Sequence, residues 1–202
     1  MAIKMKKKAG STDMTAMCDV AFLLLSFFVM TATAKVPEAL PVDTPSSTVQ
    51  TKLPDSDLAT ITLGQGKVFF DLKGRDVRKK TLELMGQKYG IAFSEADTQA
   101  FALMEGFGVP IESLKQIIDM KSADRSKANQ PGIPKDSLDN QLKDWIYNAR
   151  IANIEVADKE LQIAIKGDAK EEYQAIRKVM DILQGQKINN FNLVTGLRTE
   201  NF

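Results

Sequence analysis

Apolar and polar residues are distributed along this chain in three distinct rhythms. From Thr15 to Ala34 the sequence TAMCDVAFLLLSFFVMTATA is almost wholly apolar and carries one charge, Asp19. About twenty such residues wound as a helix reach ~30 Å, the thickness of a bilayer's hydrocarbon core. From Lys35 to Asp57 prolines 37, 41, 45 and 54 and the run Ser46-Ser47-Thr48 replace any periodicity. Proline fixes φ and removes a donor, so this stretch predicts an extended, weakly ordered linker. From residue 58 onward short alternating runs and helical stripes take turns, which predicts an α+β domain.

Within that domain, Ala59 to Leu63 alternates and is rich in β-branched residues. Gly64-Gln65-Gly66 supplies turn chemistry and Lys67 to Asp71 follows, a β-hairpin signal. Helical spacing predicts helices over Thr81–Tyr89, Ser94–Glu105 and Ile111–Met120, with Ser94 and Asp97 forming a cap and Gly106 to Pro110 separating the last two. Met85, Phe101 and Met104 read as core. Lys121 to Pro134 reads as a solvated loop. Leu138, Leu142, Trp145, Ile146 and Ala149 predict an amphipathic helix anchored by Trp145. Leu161, Ile163 and Ile165 predict a strand. Asp168 and Glu171 then predict a helix start, Tyr173, Ile176, Val179, Met180 and Leu183 its apolar stripe, and Gly185 its stop. Phe191 to Leu197 predicts a last strand, parallel to the first through a right-handed crossover.

Composition narrows the chemistry. The chain has 202 residues, a net charge of +1, one cysteine and no histidine. Ser-His-Asp and Cys-His catalysis and imidazole metal sites are excluded. Gly64 and Gly66 do not form a phosphate loop, because no third glycine and no helix pattern follow. No cofactor, no metal site and no catalytic residue is expected. The near-zero net charge gives no footprint for a nucleic-acid partner.

Charge placement matters more than its sum. Lys4, Lys6, Lys7 and Lys8 precede the apolar run, and only Lys35 closely follows it. By the positive-inside rule the first thirteen residues form a cytoplasmic basic tail, residues 14–34 span the inner membrane, and the rest is periplasmic. A cleaved signal peptide would share the basic start and the small residues Thr31 to Ala34. The length of the run and the aspartate within it favour a retained anchor. A carboxylate at membrane depth costs at least ~2.5 kcal/mol on insertion scales, and a plain anchor has no use for it. Low dielectric favours the neutral carboxyl, so a group of this kind faces a protein or hydrated interior and exchanges a proton. The alternative, Asp19 reaching headgroups and water about one turn inside the run, is a matter of spacing. Phe22, Leu23, Ser26, Met30 and Thr33 share its face. Ser26 either bonds across an interface or bonds the preceding turn.

The segment from Asp13 to Phe28, DMTAMCDVAFLLLSFF, resembles the ExbD/TolR family, whose members open with DMTPMxD and an FLLLxFF-like run. Ala16 stands where that pattern has proline and Cys18 where it has an aliphatic residue. Leu161 to Asp168, Tyr173 to Asp181 and Asn190 to Thr195 are similar to the family's strand–helix–strand ending. The resemblance implies a single N-terminal transmembrane helix followed by a small periplasmic α/β sandwich domain at 58–202. Residues 75–135, roughly, look like a helical insertion. It also implies that Asp19 carries protons, with Ser26 and Thr15 at the helix interface or proton path. Leu40, Pro41, Val42 and Pro45 are similar to a linker element that switches the family's motors between resting and active forms; a plain spacer is the alternative. The implied partners are a pentameric ring of an ExbB-like polytopic subunit, a second copy of this chain, and a TonB-like periplasm-spanning protein. A TolR-like role in envelope integrity with peptidoglycan contact, or a non-conducting membrane-tethered module, is the competing reading.

Overall fold

The computed structural model describes residues 14–32, 39–47, 53–125, 128–136 and 139–197. It divides into two compact units, residues 1–36 and 37–202. The expected basic tail and the positions Thr33 and Leu138 lie outside the described residues.

In the first unit one helix, α1 (Met14–Thr31), accounts for the apolar run. None of its residues is buried. Large apolar side chains project on every side, from Leu24 at 52% exposure to Met30 at 88%. A helix apolar all round belongs in lipid or against other helices, and this one has the length and composition to cross a membrane.

The second unit is a mixed α/β domain. Its described elements in chain order are β1 (Ser46–Ser47), β2 (Leu58–Gly64), β3 (Lys67–Leu72), α2 (Arg75–Tyr89), α3 (Glu95–Leu103), α4 (Ile111–Asp119), α5 (Ser122–Arg125), α6 (Gln141–Ala157), β4 (Gln162–Gly167), α7 (Tyr173–Gly185), β5 (Asn192–Val194) and β6 (Gly196–Leu197). The main sheet runs β3-β2-β4-β5. β2 is antiparallel to β3 and parallel to β4, and β4 is parallel to β5. A second, two-stranded sheet pairs β1 with β6 in parallel. Ile61, Leu63, Phe70, Ile163 and Ile165 from the sheet meet Leu82, Met85, Leu114, Leu142, Trp145 and Ile146 from the helices in one core. Trp145 is fully buried and lies 4.8 Å from Phe107 and 6.1 Å from Phe101, centroid to centroid. Residues 75–135 contribute to this same core, and Phe107 bridges to the edge strand at Phe70.

The hairpin closes through Gln65 and Gly66, both at positive φ, which matches the twist of paired strands. Gly64 is not part of that turn conformation; it is the last residue of β2. Helix α3 starts as expected: Asp97 N–H donates to Ser94 Oγ, and Ser94 N–H donates to Asp97 Oδ2 at 2.9 Å.

Five expectations need correction. Lys121 to Pro134 is not simply a solvated loop: it holds α5 and buries Gln130 and Ile133, and Gln130 Oε1 accepts the Gly108 N–H at 2.7 Å. Helix α2 begins at Arg75 rather than Thr81, because its charged first turns still bury Val77 and Thr81. Helix α6 extends two turns beyond Ala149, burying Ala152 and Asn153. Asp168 does not start α7. Its N–H continues the ladder to Leu63 O, and its carboxylate accepts from Lys170 N–H at 2.9 Å, so the helix begins later, at Tyr173. Tyr173 then stands 67% exposed instead of in the core. The last strand is two: Asn192–Val194 pairs with β4, and Gly196–Leu197 changes partner to β1.

Candidate functional site

Two sets of sequence-predicted site residues are described, one in each unit. The first lies along α1. At 100° per residue, Thr15, Asp19 and Ser26 fall within about 40° of one line on the helix surface. Phe22, Leu23 and Met30 flank that line. Asp19 is the only charged residue of the helix and is exposed. It sits about 8 Å along the axis from Met14 and about 18 Å from Thr31. Ser26 Oγ donates to Leu23 O at 2.9 Å, so its proton is held within the helix and its lone pairs remain for a donor. Thr31 Oγ1 likewise donates to Phe27 O at 2.8 Å. The arrangement presents one ionisable carboxyl and two hydroxyls as a stripe on an otherwise apolar rod.

The second set is the linker element. Residues 40–45 run extended, with Leu40, Val42 and Thr44 half-buried and Pro41, Asp43 and Pro45 exposed. That period of two is how a strand lays one face on a surface. Val42 and Leu40 rest on Gly64 at the carboxyl end of β2. Asp43 O accepts from Ala169 N–H at 2.7 Å, and Pro45 O accepts from Gly196 N–H at 2.9 Å. The pairing of Ser46 with Gly196 and Ser47 with Leu197 continues the contact. Residues 40–47 of the linker are thus seated on the domain by backbone bonds and two aliphatic side chains.

The seat is built from residues far apart in sequence. The Gly66 N–H donates to Glu171 Oε2 at 3.2 Å, and Lys135 Nζ donates to Gly66 O at 3.3 Å. Both backbone polar groups of the turn residue Gly66 are therefore held, by the β4–α7 loop and by the end of the 75–135 stretch. Burial lowers the Lys135 pKa, with Glu171 opposing the shift. Sequence reasoning missed Gly64, Ala169 and Gly196 as partners of the linker, and Glu171 and Lys135 as partners of the turn beside it. The available signal was Gly64 itself, since a glycine closing a strand marks close approach of another backbone.

Contacts of this extent contribute a few kcal/mol. Moving one charge through 100 mV supplies about 2.3 kcal/mol.

Among the described residues no group of three or more Cys, Asp or Glu side chains is placed to hold a metal ion. In comparisons with known proteins, the family model described as biopolymer transport protein ExbD/TolR matches residues 5–197. Neither a curated protein nor a solved structure matches.

Proposed function

The chain belongs to the ExbD/TolR family, and from that premise we propose that it is the proton-coupled subunit of an inner-membrane motor that powers transport across the outer membrane. The coarser role follows from membership: a membrane-anchored, non-enzymatic energy-transduction subunit of biopolymer transport, working with ExbB/TolQ-type and TonB/TolA-type partners. The finer reading rests chiefly on one observation, the single carboxyl of Asp19 on an apolar helix with Thr15 and Ser26 on its line.

In this reading residues 1–13 stay in the cytoplasm, 14–34 span the membrane, 35–57 link, and 58–202 work in the periplasm, with 75–135 as an added part of that domain. A single helix cannot enclose a polar path in lipid. Two copies of α1 therefore lie within a pentameric ring of an ExbB-like subunit, which covers the polar stripe. A proton neutralises Asp19 on one side of the ring, the helix pair moves, and the proton leaves on the other. Ser26, its own proton satisfied, offers lone pairs to a hydrated path. Leu40, Pro41, Val42 and Pro45 hold the linker on the domain in one state and leave it in the other. The domain passes the work to a TonB-like protein.

A TolR-like motor that maintains the envelope through peptidoglycan shares every membrane step and differs in its periplasmic partner. A tethered module without conduction differs at Asp19. Asp19→Asn tests this directly, since it keeps size and polarity and removes titration. Energised uptake through outer-membrane transporters is expected to fall to background while the protein remains in the membrane. Normal uptake by Asp19→Asn would sink the motor reading and leave the tether.

A further inference from the structure

The glycine at position 64 is not explained by its backbone. Its φ is not positive, unlike those of its neighbours Gln65 and Gly66, so any L-residue can adopt its conformation. Nor does β2 need a glycine there for pairing, because Gly64 pairs with Lys67 in an ordinary antiparallel register. What the position lacks is room above the strand. A Cβ on residue 64 would lie 2.7 Å from Val42 Cγ1 and 3.1 Å from Leu40 Cδ2, whereas its next neighbour, Asp168 Cβ, is at an ordinary 3.8 Å. The two close atoms both belong to the linker.

We infer that Gly64 is the residue that positions the linker: its missing side chain is the seat for Val42 and Leu40, and it sets the balance between seated and released states. The inference rests on the proposal that this linker is a switch, and it adds the surface against which the switch closes.

Which partner would yield to a side chain at position 64 is decided by rigidity. β2 is an interior strand, bonded to β3 on one side and β4 on the other. The turn beyond it is clamped through Gly66 by Glu171 and Lys135. The linker is held by two backbone bonds, a two-residue pairing and the side chains in question. A methyl group at residue 64 therefore lifts the linker and leaves the sheet in place. Lys135, at the end of the 75–135 stretch, holds the turn next to this seat through Gly66 O.

Two amides report seating directly, Ala169 N–H bonded to Asp43 O and Gly196 N–H bonded to Pro45 O. Hydrogen exchange is to be followed on the full chain in lipid nanodiscs. With Gly64→Ala, exchange at Ala169 and Gly196 is expected to quicken about tenfold or more, the fold-change an overpacking penalty of usual size produces. Amides of β4 are expected to keep their protection. Adding Val42→Ala makes room for the new methyl and is expected to return most of the lost protection, which a general weakening of the sheet would not allow. Unchanged exchange at both reporters overturns the inference. So does a uniform rise that includes β4, and so does a double variant no better protected than Gly64→Ala alone. If the reporters respond as expected while energised uptake by Gly64→Ala stays at the wild-type level, the seat stands and the switch reading falls.

Discussion

Asp19 and Asp97 are aspartates in opposite circumstances. Asp19 stands exposed on α1, and under the proposed function its surroundings come from other subunits. Asp97 is provided for locally: the Ser94 amide and hydroxyl, with Lys115 Nζ at 3.6 Å, hold its carboxyl below the usual aspartate range against the opposing effect of burial. A carboxyl lowered in this way stabilises the fold fully above the ordinary aspartate pKa. That contribution erodes as pH falls and is gone below the lowered folded value. Thermal unfolding of the wild type between pH 7 and pH 2 is expected to show this loss, and Asp97→Asn to flatten it. Parallel curves for the two proteins would refute the assignment. Gln141 belongs at this scale too. Pro110 offers α4 no side-chain cap, and the buried Gln141 Oε1 accepts the Ile111 N–H at 2.8 Å instead. Gln141→Ala leaves that amide buried and unpaired, at an expected cost of about 1–3 kcal/mol in denaturant unfolding. A change within error would mean that the amide is otherwise satisfied. The Ser94 cap was legible in the sequence because both partners lie within one turn. The Gln141 cap was not, because no local pattern pairs residues that distant.

Among elements, the same division between local and distant contacts decides what the sequence revealed. The hairpin, α3, α4 and the parallel β4–α7–β5 unit announce themselves through period and turn chemistry. The start of α2 did not, since Arg75, Arg78, Lys79 and Lys80 hide a helix whose buried stripe is thin in its first turns. One of those charged residues is structural. The Arg78 guanidinium donates to Leu72 O, Ala102 O and Met104 O and pairs with Asp71 at 3.0 Å, joining the end of β3 to the end of α3. Burial lowers its pKa while Asp71 opposes the shift, and a guanidinium keeps its charge regardless. A lysine has no planar fork to reach three carbonyls. Arg78→Lys is therefore expected to lose about 2 kcal/mol or more in chemical denaturation, with the earliest exchange at the Met104 end of α3. Equal midpoints for Arg78→Lys and wild type would show that the contacts carry no net stability. The linker falls between the two cases. Its prolines announced an extended chain, while its seat depended on Gly64, Ala169 and Gly196, which only the folded sheet brings to it.

For the molecule as a whole, the decisive contrast lies between a helix with no buried residue and a domain that buries a full core. The domain completes itself; α1 does not. Lipid satisfies Phe22, Leu25 and Met30 but not a carboxyl, and an unsatisfied polar group in hydrocarbon costs several kcal/mol. Under the proposed function, protein from other chains covers the Asp19 carboxyl. Asp19 stands out in the sequence as one charge in an apolar run, whereas the cover proposed for it would be a property of other chains and would leave no mark in this one. The expectation is that mild-detergent purification of the full chain brings down a large polytopic partner in molar excess. Asp19→Asn should bring down the same partner in the same proportion, because the amide can still hydrogen-bond within the ring, while energised uptake is lost. Assembly kept and work abolished would separate the carboxyl's titration from any role in holding the complex together. Asp19→Asn that no longer retains the partner would make the residue an assembly contact, and a wild-type chain that elutes as a lone dimer would remove the ring from the mechanism altogether.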